Sequence, residues 1–230
     1  MVSVENHLIE LLPPGDRERL LSACEPVELA RADVLCEPGA PTLYVHFPTD
    51  ACVSLVALIE GSAGLEVGMI GREGMLGAHV ALGVQTQPLR ALVQGPGGAW
   101  RIGTADFRRE LARSAALRHC LDRYVYVLMA QLAASVGCLR FHLIGPRLAR
   151  WLLMTQDRAH ADRFRVTHEF LASMLGVRRV GVTAAASALQ RSGLIRYHRG
   201  DLTVLDRAGL EAAACGCYAA NRRAYVEFLG

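Results

Sequence analysis

Three residue types in this 230-residue chain have side chains suited to chemistry, and each is spaced in a way that argues for or against a site. The seven cysteines (24, 36, 52, 120, 138, 215 and 217) are odd in number and scattered, with no CxxC and no Cys/His spacing of a zinc finger. They read as reduced thiols, and no metal site or iron-sulfur cluster is expected. Cys215 and Cys217, one residue apart, would point to different faces if both lay on one helix. Of the eight histidines only His46 and His79 fall in the strand-patterned region, without the HxH pair and carboxylate of a facial metal triad. GxSxG, P-loop and HExxH patterns are absent from the sequence, so an enzyme is not expected.

The arginines are the informative set, because every basic residue other than histidine is Arg and their distribution is uneven. Residues 1–139 carry 11 Arg and 15 acidic residues, net −4, whereas residues 140–230 carry 14 Arg and 7 acidic residues, net +7. A basic C-terminal third predicts a polyanionic partner. Within it, THEFLASML (167–175), Gly176 and VRRVGVTAAASALQR (177–191) spell two helices joined by a glycine turn, a helix-turn-helix. Thr167 caps the first helix and Val166 staples onto Leu171. Arg178 and Arg179 open the second helix, where a recognition helix presents side chains to base edges in the major groove, with Ser187 further along it. IRYHRGDLTVLD (195–206) follows as a β-hairpin wing whose Arg196, His198 and Arg199 suit phosphate contacts.

The elements that must position this unit are legible upstream. From Val27 to about Ile102, short apolar runs alternate with turn clusters such as EPGAP, PTD, EGSAG and QGPGG, which is the pattern of a small antiparallel β-sandwich or roll. Glu5–Leu12 and Gly15–Cys24 read as short helices that lid the roll. Thr104 is a candidate N-cap for a helix of some thirty-five residues running past Leu139. Its apolar series Leu117, Leu121, Val125, Leu128, Leu132 and Leu139, with Ser135 in the gap, resembles a near-heptad dimer seam. Gly145-Pro146 interrupts it, Arg147–Asp157 forms the next helix, and DRAHADR (157–163) is a loop. This divides the chain into a β-roll (1–103), a dimerisation helix and hinge (104–144), and a winged helix-turn-helix (145–230), an α+β architecture. The N-terminus lacks the pattern of a secretory signal, and Tyr124–Leu139 is too short and polar to span a membrane comfortably, so a cytoplasmic protein without a membrane partner is expected.

In this order of parts the chain resembles the Crp/Fnr family of bacterial regulators. Gly39 in EPGAP, IGREGMLG (70–77), which looks like the family's phosphate cassette, and above all residues 167–195 carry the likeness. The resemblance implies a homodimeric transcription regulator on double-stranded, near-palindromic DNA, with RNA polymerase as a further partner. It places an effector pocket at Gly74, Met75, Leu76, Gly77, Arg90 and Ala91. Cyclic-nucleotide-binding members carry Gly-Glu and then Arg-Ser/Thr-Ala; here Met75 follows Gly74 and the later motif reads Leu89-Arg90-Ala91, so cAMP is not expected as effector and no cofactor is implied. Of the family's Arg, Glu and second Arg base readers only Arg179 matches, with Val180 and Ala184 at the other two positions. The expected base-side set is therefore Arg179 on guanine, Arg178 nearby, and Val180 and Thr183 on a thymine methyl. Two other classes remain: an interaction module that has lost DNA binding, and a cupin-like enzyme.

Overall fold

A computed structural model describes residues 6–60, 64–159 and 161–230. Glu5 of the first expected helix, residues 61–63 of the EGSAG turn and His160 of the expected 157–163 loop lie outside them. The order is α1 (His7–Glu10), α2 (Pro14–Ser22), β1 (Glu25–Leu29), β2 (Val34–Cys36), β3 (Tyr44–Pro48), β4 (Cys52–Ala57), β5 (Leu65–Ile70), β6 (Arg90–Gly95), β7 (Gly97–Gly103), α3 (Thr104–Arg113), α4 (Ala115–Phe141), α5 (Ile144–Ala159), β8 (Arg163–Arg165), α6 (His168–Leu175), α7 (Arg179–Arg191), β9 (Ile195–His198), β10 (Asp201–Val204), α8 (Arg207–Ala213) and α9 (Cys217–Leu229).

The seven N-terminal strands form two antiparallel sheets, β1-β7-β3 and β2-β6-β4-β5. The run ACVSLVALI lacks polar alternation because β4 is covered on both faces. Val53 and Leu55 join Ile70 and Leu76 inside the roll, while Cys52 joins Met69 in a core shared with α5, α6 and α7. Across that shared layer Ser54 Oγ lies 2.6 Å from a Glu66 carboxylate oxygen and 2.8 Å from the Gln94 amide oxygen, its one proton serving one of them at a time, and Gln94 donates to Thr155 of α5 at 3.1 Å. Leu8 and Ile9 of α1, Leu12 of the turn after it and Leu20 of α2 seal the remaining end against Phe47, Phe107 and Leu121.

The single long helix expected from Thr104 is two helices. Ser114 leaves the helical region at φ −118°, ψ 107°, and its hydroxyl accepts from the Leu117 N–H at 2.9 Å, a local cap that competes with continuation. Thr104 is already helical; its hydroxyl donates to the Thr42 carbonyl at 2.7 Å. α4 is long and apolar enough to cross a bilayer by length and composition, but Leu117, Leu121, Tyr124 and Val127 along one face are buried against the roll. The expected seam is therefore corrected at Leu121. Leu121 is fully buried in its own chain, Val125 and Leu128 pack against the same core, and Leu132 and Leu139 are only half-exposed. The solvent-facing stripe is offset by one position: Tyr126 (53 % exposed), Met129 (63 %), Ala133, Val136 (67 %) and, beyond the helix, Leu143.

Cys215 and Cys217 do not share a helix. α8 ends at Ala213 and α9 begins at Cys217, and the bend between them turns both thiols toward Cys138 and His142 at the end of α4.

Candidate nucleic-acid interface

α6 begins where Thr167 accepts from the Phe170 N–H at 3.1 Å and ends at Gly176, whose φ of 61° suits a residue without Cβ. A Cβ at Gly176 would also meet Leu65 Cδ1 of β5 at 2.7 Å, so the turn is set directly against the roll. The last carbonyl of α6, on Leu175, accepts from the Arg147 guanidinium of α5. Leu171, Ala172, Val182, Ala186 and Leu189 bury the contact between α6 and α7. This leaves Arg178, Arg179, Val180, Thr183, Ala184 and Ser187 on the outer face of α7.

Neither Arg178 nor Arg179 enters an ion pair among the described residues. Thr183 is less free than expected, since its hydroxyl donates to the Arg179 carbonyl and lies 3.0 Å from His168 Nδ1. His168, missed in the sequence, stacks on Tyr197 of the wing with ring centroids 4.3 Å apart. Burial, then the Arg179 charge, lowers its pKa. The stack ties the start of α6 to the wing through an uncharged ring. A period-2 pattern around a helix start carries no signal for it.

The wing is the β9–β10 hairpin with β8 added on its far side, order β8-β10-β9; Arg163, the last residue of the expected 157–163 loop, is the first of β8. Arg199 and Gly200 both have positive φ, 49° and 90°, the geometry of a type I′ turn. His198 and Arg199 are exposed at its tip. Between wing and helix lies an open cavity of about 400 Å³ lined by Thr167, His168, Glu169, Arg179, Tyr197, Arg199 and Gly200. Two arginines and the Thr167 hydroxyl thus line one concavity against the single carboxylate of Glu169, a net positive balance that suits a phosphate oxygen.

The six positions of the expected effector pocket lie in different surroundings. Met75, Leu76 and Ala91 are buried in the core, and Gly74 abuts the Tyr124 ring so closely that no Cβ fits. Tyr124 donates to the Met75 carbonyl at 3.0 Å, and Gly77 packs on Val45. Arg90 is ion-paired with Glu37 at 3.0 Å. The physical reason is volume: a methionine in place of a polar residue after Gly74 has been drawn into the roll.

Residues 146–213 match the model of the Crp-like helix-turn-helix domain. No curated protein matches the chain. Among solved structures the fold is similar to FixK2 from Bradyrhizobium japonicum (13 % identity, 84 % of this chain and 98 % of that one, TM-score 0.70). It is similar to the c-di-GMP-responsive global regulator CLP of Xanthomonas campestris (17 %, 84 % and 99 %, 0.68). A Crp/Fnr-family transcriptional regulator from Thermus thermophilus also resembles it (22 %, 83 % and 98 %, 0.64).

Proposed function

From a chain with the fold of Crp/Fnr regulators and a Crp-like helix-turn-helix domain, we propose a homodimeric, sequence-specific DNA-binding transcription regulator. The observation that carries the reading is the pair Arg178 and Arg179, exposed without ion pairs at the start of α7 beside a concavity shared with the wing. Arg179 is assigned to a guanine edge, and Arg178, Thr167, His198 and Arg199 to phosphates. Val180, Thr183 and Ser187 lie along the groove face.

The stripe Tyr126, Met129, Ala133 and Val136 follows 3-4-3 spacing along α4 and supports pairing with the same stripe of a second copy. Two reading heads would then address half-sites about one turn of DNA apart. The replacement of a polar pocket by Met75, Leu76 and Ala91 supports a regulator that does not take cAMP at this place.

The test is retention of genomic fragments by the purified chain at about physiological salt and at several-fold higher salt. A palindromic motif that is lost as salt rises is the expected result. Uniform retention, or none, argues for an interaction module instead. Met129→Glu with Val136→Glu should convert the dimer to a monomer in light scattering and weaken binding to the palindrome.

A further inference from the structure

Four metal-ligating side chains converge at the base of the reading head. The donor atoms of Cys138, His142, Cys215 and Cys217 all lie within 4.8 Å of one another. Cys138 Sγ is 3.5 Å from Cys215 Sγ, and Cys217 Sγ is 3.6 Å from His142 Nδ1. A tetrahedral zinc ion with Zn–S about 2.3 Å and Zn–N about 2.0–2.1 Å holds neighbouring donors roughly 3.5–3.8 Å apart. Both distances fall in that interval, and the spread of all four leaves room for a single ion at the centre.

We propose that these residues form a Cys₃His site for one zinc ion. The donor set is the thiolate-rich kind that selects a thiophilic divalent cation over calcium or magnesium. On binding, three thiols release three protons and Zn²⁺ accepts three thiolate pairs and one imidazole pair, leaving a complex of net charge −1. A compensating cation is in place: Arg150 Nη1 lies 3.9 Å from Cys138 Sγ, and Nη2 of the same group donates to Ser135 at 3.4 Å. The alternative, a Cys138–Cys215 disulfide, would account for two of the four groups and leave the convergence of Cys217 and His142 unexplained.

The topology gives the site a structural role. Cys138 and His142 precede the helix-turn-helix unit of residues 146–213 and Cys215 and Cys217 follow it, so one ion would clasp the unit at its base to the end of α4. The donors come from two stretches of chain far apart in sequence: the end of α4, where Cys138 and the capping residue His142 lie one turn apart, and the α8–α9 bend. A metal bond here fixes the reading head relative to α4 and does not depend on the DNA-binding assignment.

The full chain, purified under reductant without chelator, should contain about one zinc per chain by elemental analysis and release it to a mercurial thiol reagent. The apoprotein with cobalt(II) alone should develop thiolate-to-cobalt charge transfer and the intense ligand-field bands of a tetrahedral site. Cys215→Ser and Cys138→Ser should lose both signals, and Cys24→Ser should keep them. Should the buried variants fail to fold, His142→Ala keeps the test available: it should weaken zinc retention and alter the cobalt spectrum. A reduced, folded chain that takes up neither zinc nor cobalt overturns the proposal. So does a chain whose uptake is unchanged in Cys215→Ser, or one in which a Cys138–Cys215 disulfide forms and no metal binds.

Discussion

Arg179 stands where the helix N-terminus, the wing and solvent meet; Glu169 lines the same concavity, but neither Arg179 nor Arg178 makes an ion pair among the described residues. Arg179→Ala should therefore cost roughly 1–3 kcal/mol at one base pair and relax preference there, read by binding to a set of single-base variants of the site. Unchanged selectivity would remove Arg179 as a base reader. A second residue-scale prediction concerns His46. Burial, then Arg101, lowers its pKa from 6.5 to about 4, and the side chain is buried. The unfolded chain binds this proton near pH 6.5 and the folded chain only near 4, so the contribution is complete above 6.5 and is lost as pH falls toward 4. The loss is about 3 kcal/mol at most. His46→Gln should flatten this part of the urea-midpoint profile between pH 4 and 6.5; an unchanged acid slope would exclude His46 as its source.

At the scale of elements, the wing turn places a non-glycine residue at a left-handed position. Arg199 has φ 49°, where Asn is better tolerated, and it is also the exposed charge at the tip. Arg199→Asn separates the two roles. The hairpin should be retained or slightly stabilised, while the slope of log affinity against log salt should fall by about one if Arg199 contacts a phosphate. Gly176 is the opposite case, since its turn needs the missing Cβ twice, for φ and for the Leu65 contact. Gly176→Ala should destabilise by about 1–3 kcal/mol in chemical denaturation. An effect near zero would mean that the α6–α7 turn relaxes freely.

For the whole molecule, the docking of the reading head on the roll includes an ion pair with one buried partner. Arg158 of α5 meets Glu73 at 2.8 Å, with Arg158 almost wholly enclosed, and its guanidinium also donates to the Met154 and Met69 carbonyls. Burial opposes the Arg158 charge, and the neighbouring Glu73 more than offsets it, so Arg158 stays charged. Glu73→Ala strands a buried cation and should cost about 3–5 kcal/mol in equilibrium unfolding, far more than removal of an exposed partner such as Glu37. Equal effects from Glu73→Ala and Glu37→Ala would show that the interface admits water freely.

What the sequence determined by itself lies in periodic and local signals. Alternating apolar runs with turn clusters specified strands, and cap and glycine positions around 167–191 specified the helix-turn-helix, because backbone geometry restricts which residues fit those places. Ser114 was equally a local signal, a cap residue inside an apolar run, but periodicity over thirty-five residues hid it. Which stripe of α4 faces solvent could not be read, since Leu121 and Met129 are alike in polarity and only the roll packing on one side distinguishes them. The fate of Met75 and Arg90 likewise depended on core volume and on Glu37, fifty-three residues before Arg90 in the chain. The four-ligand cluster was the furthest from view. His142 and Cys215 are brought together by the folding of the whole reading head between them, so their spacing in sequence carries no trace of a distance that tertiary structure alone decides.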